Sequence, residues 1–259
     1  MLTFEQLDRY GDTVAHAIFT RHGGVSAAPF DSLNVSYSVG DDWESIARNR
    51  GLCAAALDLP QSSIVTAGLV HGTAVARPET APMQSLPDGT HIVDGVDALI
   101  TATPGQALLI TAADCLHVLL FDPVTPAIGL VHAGWRGLAA GTIRAAISAM
   151  VDSFGSRPGT MLVGIGPGLG PCCAEFTDPR RELPPSFAPY IQGRYVDLWA
   201  AARDQVQACG VPARQVEQIS LCTRCHRDRF FSHRGDSGRT GRFAAIIALR
   251  GAPVSHIPT

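Results

Sequence analysis

The sequence predicts an α+β fold, on three observations. Apolar runs of strand length recur between Gly and Pro punctuation at 63–70, 95–101, 106–112, 116–121, 127–131 and 243–249. Helical periodicity appears at 43–57, 138–151 and 195–209. Between them, TAADCLHVLLFDPVTPAIGLVHAGWRGLAAG at 111–141 reads as a strand, a turn and a second strand running into a helix. Composition and strand count alone support a mixture of α and β, without an order of layers.

Taken in order, 13–20 (TVAHAIFT) alternates enough for a strand ending at Arg21, followed by the loop His22-Gly23-Gly24. Arg21 is a candidate anion or substrate contact; the alternative is a surface arginine. Asp41 and Asp42 offer N-cap oxygens, and Glu44 a first-turn charge, for a helix over 43–57 ended by Asp58-Leu59-Pro60. The strand 63–70 delivers His71-Gly72 at its end, and 73–77 continues as a paired strand. A proline-containing loop over 78–89 is followed by strands 95–101 and 106–112, joined by Thr103-Pro104-Gly105. Asp122-Pro123 and Thr125-Pro126 turn the chain between 116–121 and 127–131. After the helix 138–151 come a strand at 160–165, the glycine-rich GIGPGLGP at 164–171, an irregular proline-rich stretch at 179–189 and the helix 195–209. The strand 243–249 closes the core. The glycine-rich loop is not a dinucleotide fingerprint, because its spacing fails and Pro167 and Pro171 interrupt any following helix.

The 259 residues suffice for one large domain or two small ones. With 46% hydrophobic and 17% charged residues and a net charge of −3, the profile is that of a soluble globular enzyme. Nothing in it favours nucleic acid or an anionic membrane, and no apolar run approaches the ~20 residues of a membrane span. MLTFEQLDRYGD lacks the pattern of a secretory signal, so a cytoplasmic location is the default expectation. Seven cysteines are then read as thiols.

The chemistry concentrates on His71, Cys115 and His132. Two imidazoles and a thiolate leave one tetrahedral position open, the pattern of a catalytic zinc site, although three ligands scattered over separate strands match no short spacing rule. Without metal, Cys115 and His132 would instead form a thiolate–imidazolium pair. Arg136, at the start of the helix after 134, and Glu175, after Cys172-Cys173, are candidate substrate contacts. Asp114 points away from Cys115 in a regular strand and would orient a neighbour. Cys222-Thr223-Arg224-Cys225-His226 fits covalent haem attachment, which the lack of an export signal argues against. A structural zinc site would need a second spaced pair, and Cys172 and Cys173 are adjacent. Arg- and Gly-rich 227–242, with Phe230-Phe231, suggests RNA, but Asp228, Asp236 and the acidic balance weaken that reading.

ADCL followed by VHAGWRG resembles the YfiH-type family, also called laccase-domain or polyphenol-oxidase-type proteins. Supporting matches are TRHGGVS at 20–26, SLNVSYSVGDD at 32–42, VHG at 70–72, DALIT at 97–101, GIGPGLGPCCAEF at 164–176 and the tail from Cys222 to 247. The resemblance implies a single domain over 1–259, with central sheets layered between outer helices. It implies that His71, Cys115 and His132 are both catalytic and metal-binding, with zinc preferred to copper. It further implies phosphorolysis of adenosine, inosine and methylthioadenosine, deamination of adenosine, and purine nucleosides and phosphate as partners. Arg21, Arg136 and the glycine-rich loop are then candidates for phosphate. Two positions depart from the pattern: Leu69 where glutamine is common, and His117 where many members carry proline. An amidase acting on peptidoglycan precursors, a copper-dependent phenol oxidase and a non-enzymatic binding module stay open as alternatives. Nine histidines without an HxH pair argue against a multicopper centre.

Overall fold

Along 107–112 the side chains alternate between two apolar environments. Leu108 and Ile110 pack with Leu119, Phe121, Leu130 and Phe243, whereas Ala107 and Leu109 pack with Cys53, Ala54 and Ile246. A strand buried on both faces needs a layer on each side, and the computed structural model, which describes residues 1–251, supplies both. One six-stranded sheet runs β1 (Val14–Ile18), β14 (Phe243–Leu249), β7 (Ala107–Ala112), β2 (Ile64–Gly68), β5 (His91–Asp94), β4 (Gln84–Ser85). The other runs β13 (Val216–Gln218), β10 (Leu162–Ile165), β8 (Leu116–Asp122), β9 (Ala127–Ala133), β6 (Ala98–Thr101), β3 (Val75–Ala76). Strand labels follow the chain; β11 (Ile191–Gln192) and β12 (Tyr195–Val196) form a separate hairpin.

The sheets share one apolar interlayer, to which each large side chain contributes about 1.5–3 kcal/mol. The helix α1 (Trp43–Ala55) covers the outer face of the first sheet. The second is covered by α2 (Trp135–Ala140), α3 (Thr142–Phe154) and α4 (Leu198–Ala208). The order is helix, sheet, sheet, helix, as the resemblance implied. No helix among the described residues is long and apolar enough to cross a membrane.

Several boundaries differ from the sequence reading. The expected helix at 138–151 begins at Trp135 and breaks at Gly141, whose φ of +91° ends α2 and starts α3. Residues Tyr195 and Val196 are strand; α4 begins only where the Asp197 side chain accepts from Ala200 N–H at 2.9 Å. The proline-rich stretch holds a helical turn at Pro179–Glu182 and a 3₁₀ segment at Pro185–Tyr190. Most consequentially, Val75–Ala76 pairs with β6 of the opposite sheet, so the chain changes sheets between β2 and β3.

His16 ties the N-terminal segment to β1. It is buried, and its Nε2 accepts from Phe4 N–H at 2.9 Å, a bond that only the neutral ring can make. Burial lowers its pKa, with partial opposition from Asp8 and Glu217. Because the folded value lies below the unfolded ~6.5, the unfolded chain takes up the proton first. The stability it contributes is therefore full above ~6.5 and is lost as pH falls from there through the folded value. Denaturant midpoints measured against pH should drop on the acid side, and His16→Gln, whose amide oxygen can still accept from Phe4, should flatten that drop.

Candidate active site

Three changes of sheet meet at one end of the interlayer. The first, from β2 to β3, passes through His71, which takes φ +61°. What holds a non-glycine residue in that conformation is the buried carboxylate of Asp97, at the start of β6. Asp97 accepts from His71 N–H at 2.9 Å and Gly72 N–H at 2.6 Å, and from His132 Nδ1 at 2.9 Å. Burial would raise this carboxyl, but the bonds from His132, Gly72 and His71 hold it below the usual range. With Nδ1–H of His132 donating to a carboxylate, Nε2 is the nitrogen left to face a metal, which would displace its proton.

The second change of sheet, from β7 to β8, carries Cys115. Asp114 before it takes φ +84° and does not have the extended geometry of a regular strand. Its carboxylate accepts from Thr223 Oγ1 at 2.6 Å, Ser232 Oγ at 2.7 Å and Arg234 N–H at 2.7 Å, and its carbonyl from Leu169 N–H at 2.8 Å. These bonds fix the backbone that presents the Cys115 thiol. The orienting role expected of Asp114 thus has named partners. The third change of sheet leads from β5 to β6, through Gly95 (φ +76°), and delivers Asp97 itself.

Sγ of Cys115 and a ring nitrogen of each of His71 and His132 lie within 4.8 Å of one another. Gly134 leaves room for them: a Cβ there would sit 2.9 Å from Cys115 Sγ and 3.2 Å from His71 Cδ2. Against its burial, the Cys115 thiol is brought down to about 6 by the charge of His132 and by hydrogen bonds from both histidines. His132, against its own burial, is pushed up to about 9 by Cys115 and Asp97. A thiolate is thus available at neutral pH, and two nitrogens and one sulphur, with one of the histidines anchored by a carboxylate, fit a divalent transition metal such as zinc.

The cluster opens onto a cavity of about 490 Å³, within the range of small-molecule sites. Its wall combines apolar Leu69, Trp135 and Leu169 with the cations Arg136, Arg234 and Arg242. A second cavity of about 550 Å³ lies beside it, with Ser38, Leu69 and Thr111 in the wall of both.

Of the three substrate contacts expected from sequence, only Arg136 lines this cavity, with its guanidinium 4.2 Å from the Trp135 ring centroid. Arg21 is elsewhere: it donates to the carbonyls of Asp31 and Arg227, pairs with Asp31 at 3.2 Å and lies over Phe231. Its role is to hold loops together. Glu175 also lies outside the cavity wall; its side chain pairs with Arg194 at 3.4 Å, and its carbonyl accepts from Arg234. His117 is fully buried with its ring on Phe243, and burial brings it down to about 3, so it stays neutral. Sequence reasoning missed Asp97, Arg234 and Arg242. The cationic 227–242 segment was visible, but its fold around Asp114 was not.

The family described as multi-copper polyphenol oxidoreductase laccase matches residues 15–250. The purine nucleoside phosphorylase YlmD of Geobacillus stearothermophilus is 37% identical over 242 residues, 89% of this chain and 88% of the relative. A purine nucleoside phosphorylase of Pseudomonas aeruginosa, PA4543, is 37% identical over 92% of this chain and 94% of its own. The crystal structure of the hypothetical protein YfiH from Bacillus licheniformis superposes with a TM-score of 0.82 at 30% identity, covering 92% of this chain and 93% of that one. That of Geobacillus YlmD gives 0.82 at 33%, covering 92% of each. The fold, the cluster at the sheet crossings and these matches agree: the chain belongs to the laccase-domain, YfiH-type family.

Proposed function

We propose that this chain is a zinc-dependent purine nucleoside enzyme whose principal reaction is phosphorolysis. The observation that carries the reading is the His71–Cys115–His132 cluster opening onto a cavity with three arginines. Relatives named purine nucleoside phosphorylase along nearly the whole chain support it. Zinc on these ligands supplies Lewis acidity and lowers the pKa of a water it binds. Asp97 anchors His132, Asp114 anchors Cys115, and Arg136, Arg234 and Arg242 attract phosphate. Phosphate oxygen then bonds to the sugar carbon as the glycosidic bond breaks, and the purine leaves with the electron pair.

Deamination of adenosine is the second reading, because a three-ligand zinc leaves a position for water. It requires a proton shuttle. Asp114, the carboxylate in the cavity wall, is already engaged by Thr223, Ser232 and Arg234, which leaves His233 as the candidate. This difference ranks phosphorolysis first. Phenol oxidation by a multicopper centre is not favoured: among the described residues the metal-competent clusters are this one, with two histidines, and a set of four cysteines.

The test is turnover of inosine with and without phosphate. Hypoxanthine and ribose 1-phosphate should form only when phosphate is present. Arg136, held among the described residues by stacking on Trp135, keeps its N–H donors for substrate. Arg136→Met should therefore raise the KM for phosphate about tenfold or more, the loss of one charge-assisted bond. Phosphate-independent turnover would refute phosphorolysis; amide cleavage without nucleoside turnover would favour the amidase.

A further inference from the structure

Outside this site, the structure joins two turns that lie some fifty residues apart in the chain. Cys172 and Cys173 sit in one, and Cys222 and Cys225 in the other. All four Sγ atoms lie within 4.8 Å of one another, and those of Cys172 and Cys173 are each 3.6 Å from Cys225 Sγ. Such separations are far beyond a disulfide bond, at ~2.05 Å. They match the ~3.8 Å between sulphurs placed tetrahedrally at ~2.3 Å around zinc. Adjacent cysteines would point oppositely on a strand, but here the backbone coils: Cys173 N–H and Ala174 N–H both bond to Gly170 carbonyl, at 2.9 Å. Gly170 lets this turn approach the other one, since a Cβ there would fall 3.1 Å from Cys222 Cβ and 2.8 Å from Trp199.

We infer that Cys172, Cys173, Cys222 and Cys225 bind a structural zinc ion that clamps the 170–173 and 222–225 turns together. Four thiolates and no open position make a closed, non-catalytic site. Binding would release the thiol protons, as metal binding by cysteine does. The clamp also braces the active site. Thr223, between two of the ligands, holds the Asp114 carboxylate, and Leu169, next to Gly170, holds its carbonyl. Zinc here therefore stabilises the turn that presents Cys115.

The inference is independent of the reading of the first site, and the test keeps them apart. Native mass spectrometry and elemental analysis of the reduced wild-type protein should find two zinc ions per chain. The His71→Ala/Cys115→Ala/His132→Ala variant should retain one. X-ray absorption of that remaining zinc should show four sulphurs and no nitrogen. Cys222→Ser/Cys225→Ser should lose one zinc and keep the other. If that variant does not fold, the reduced wild type still decides: the exposed thiols Cys172 and Cys225 should resist alkylation until a chelator removes the metal. Absence of zinc from the reduced triple variant would overturn the inference, as would a protein two hydrogens lighter with a disulfide among these four.

Discussion

Cys115→Ala should lower kcat/KM for inosine phosphorolysis about a thousandfold or more, ~4 kcal/mol of transition-state stabilisation at 1.36 kcal/mol per decade. It should also remove the zinc held with His71 and His132, while the melting temperature stays close to that of wild type stripped of this zinc. The size of the effect follows from geometry. Sγ is the one sulphur in the three-ligand cluster, and its thiolate is balanced by His132. Removing it takes away the cluster's negative charge and leaves two histidines, one already engaged by Asp97. Relative to the zinc-stripped protein, stability should change little because the substitution is small and Cys115 is only half-buried. Zinc analysis and steady-state kinetics on the same samples provide the check. Lost turnover with full zinc occupancy would replace metal chemistry by the thiolate–imidazolium pair, in which Cys115 is itself the nucleophile. Unchanged turnover would remove Cys115 from the mechanism altogether.

The strands most legible in the sequence are those buried on both faces. β8, β9 and β14 are seven-residue, mostly apolar strands whose burial is complete, so hydrophobicity marks them. β5 and β13 are short, partly exposed and defined by parallel pairing with distant segments, Val65–Gly68 and Val163–Ile165, so no local pattern announces them. The same distinction divides the site. His71, Cys115 and His132 stand out by residue type, and the family resemblance groups them. Asp97 looks like an ordinary polar residue before an apolar strand; its role exists only because β2, β6 and β9 converge there. Arg21 and Glu175 were misplaced because a charge at a loop end says nothing about which backbone carbonyl or counter-ion will take it up. The four-cysteine cluster escaped spacing rules for a further reason. Those rules recognise regular intervals, whereas Cys172 and Cys173 converge through a coiled turn that glycine permits.

Asp97→Asn should weaken zinc binding at the active site and slow turnover by about 10–100-fold, the usual cost of losing a carboxylate behind a metal-binding histidine. The carboxylate is an acceptor facing only donors: His71 N–H and His132 Nδ1–H on one oxygen, Val70 N–H and Gly72 N–H on the other. An amide keeps one acceptor oxygen and turns an NH₂ group towards the remaining donors. If that NH₂ faces the imidazole, His132 must accept at Nδ1 and carry its proton on Nε2, the nitrogen needed for metal. If it takes the place of Oδ2 instead, the N–H groups of Val70 and Gly72 on either side of His71 lose their acceptor, at about 1–3 kcal/mol for a buried donor, and the turn that holds His71 in its left-handed conformation loses support. Either arrangement damages one of the two histidine ligands. Competition titration with a zinc chelator separates this positioning role from simple destabilisation. A purely structural Asp97 would lower the melting temperature and leave the zinc affinity of the folded protein intact. A positioning Asp97 shifts that affinity under conditions where the variant is fully folded, and Asp97→Glu, whose carboxylate can still accept from His132, should recover part of it.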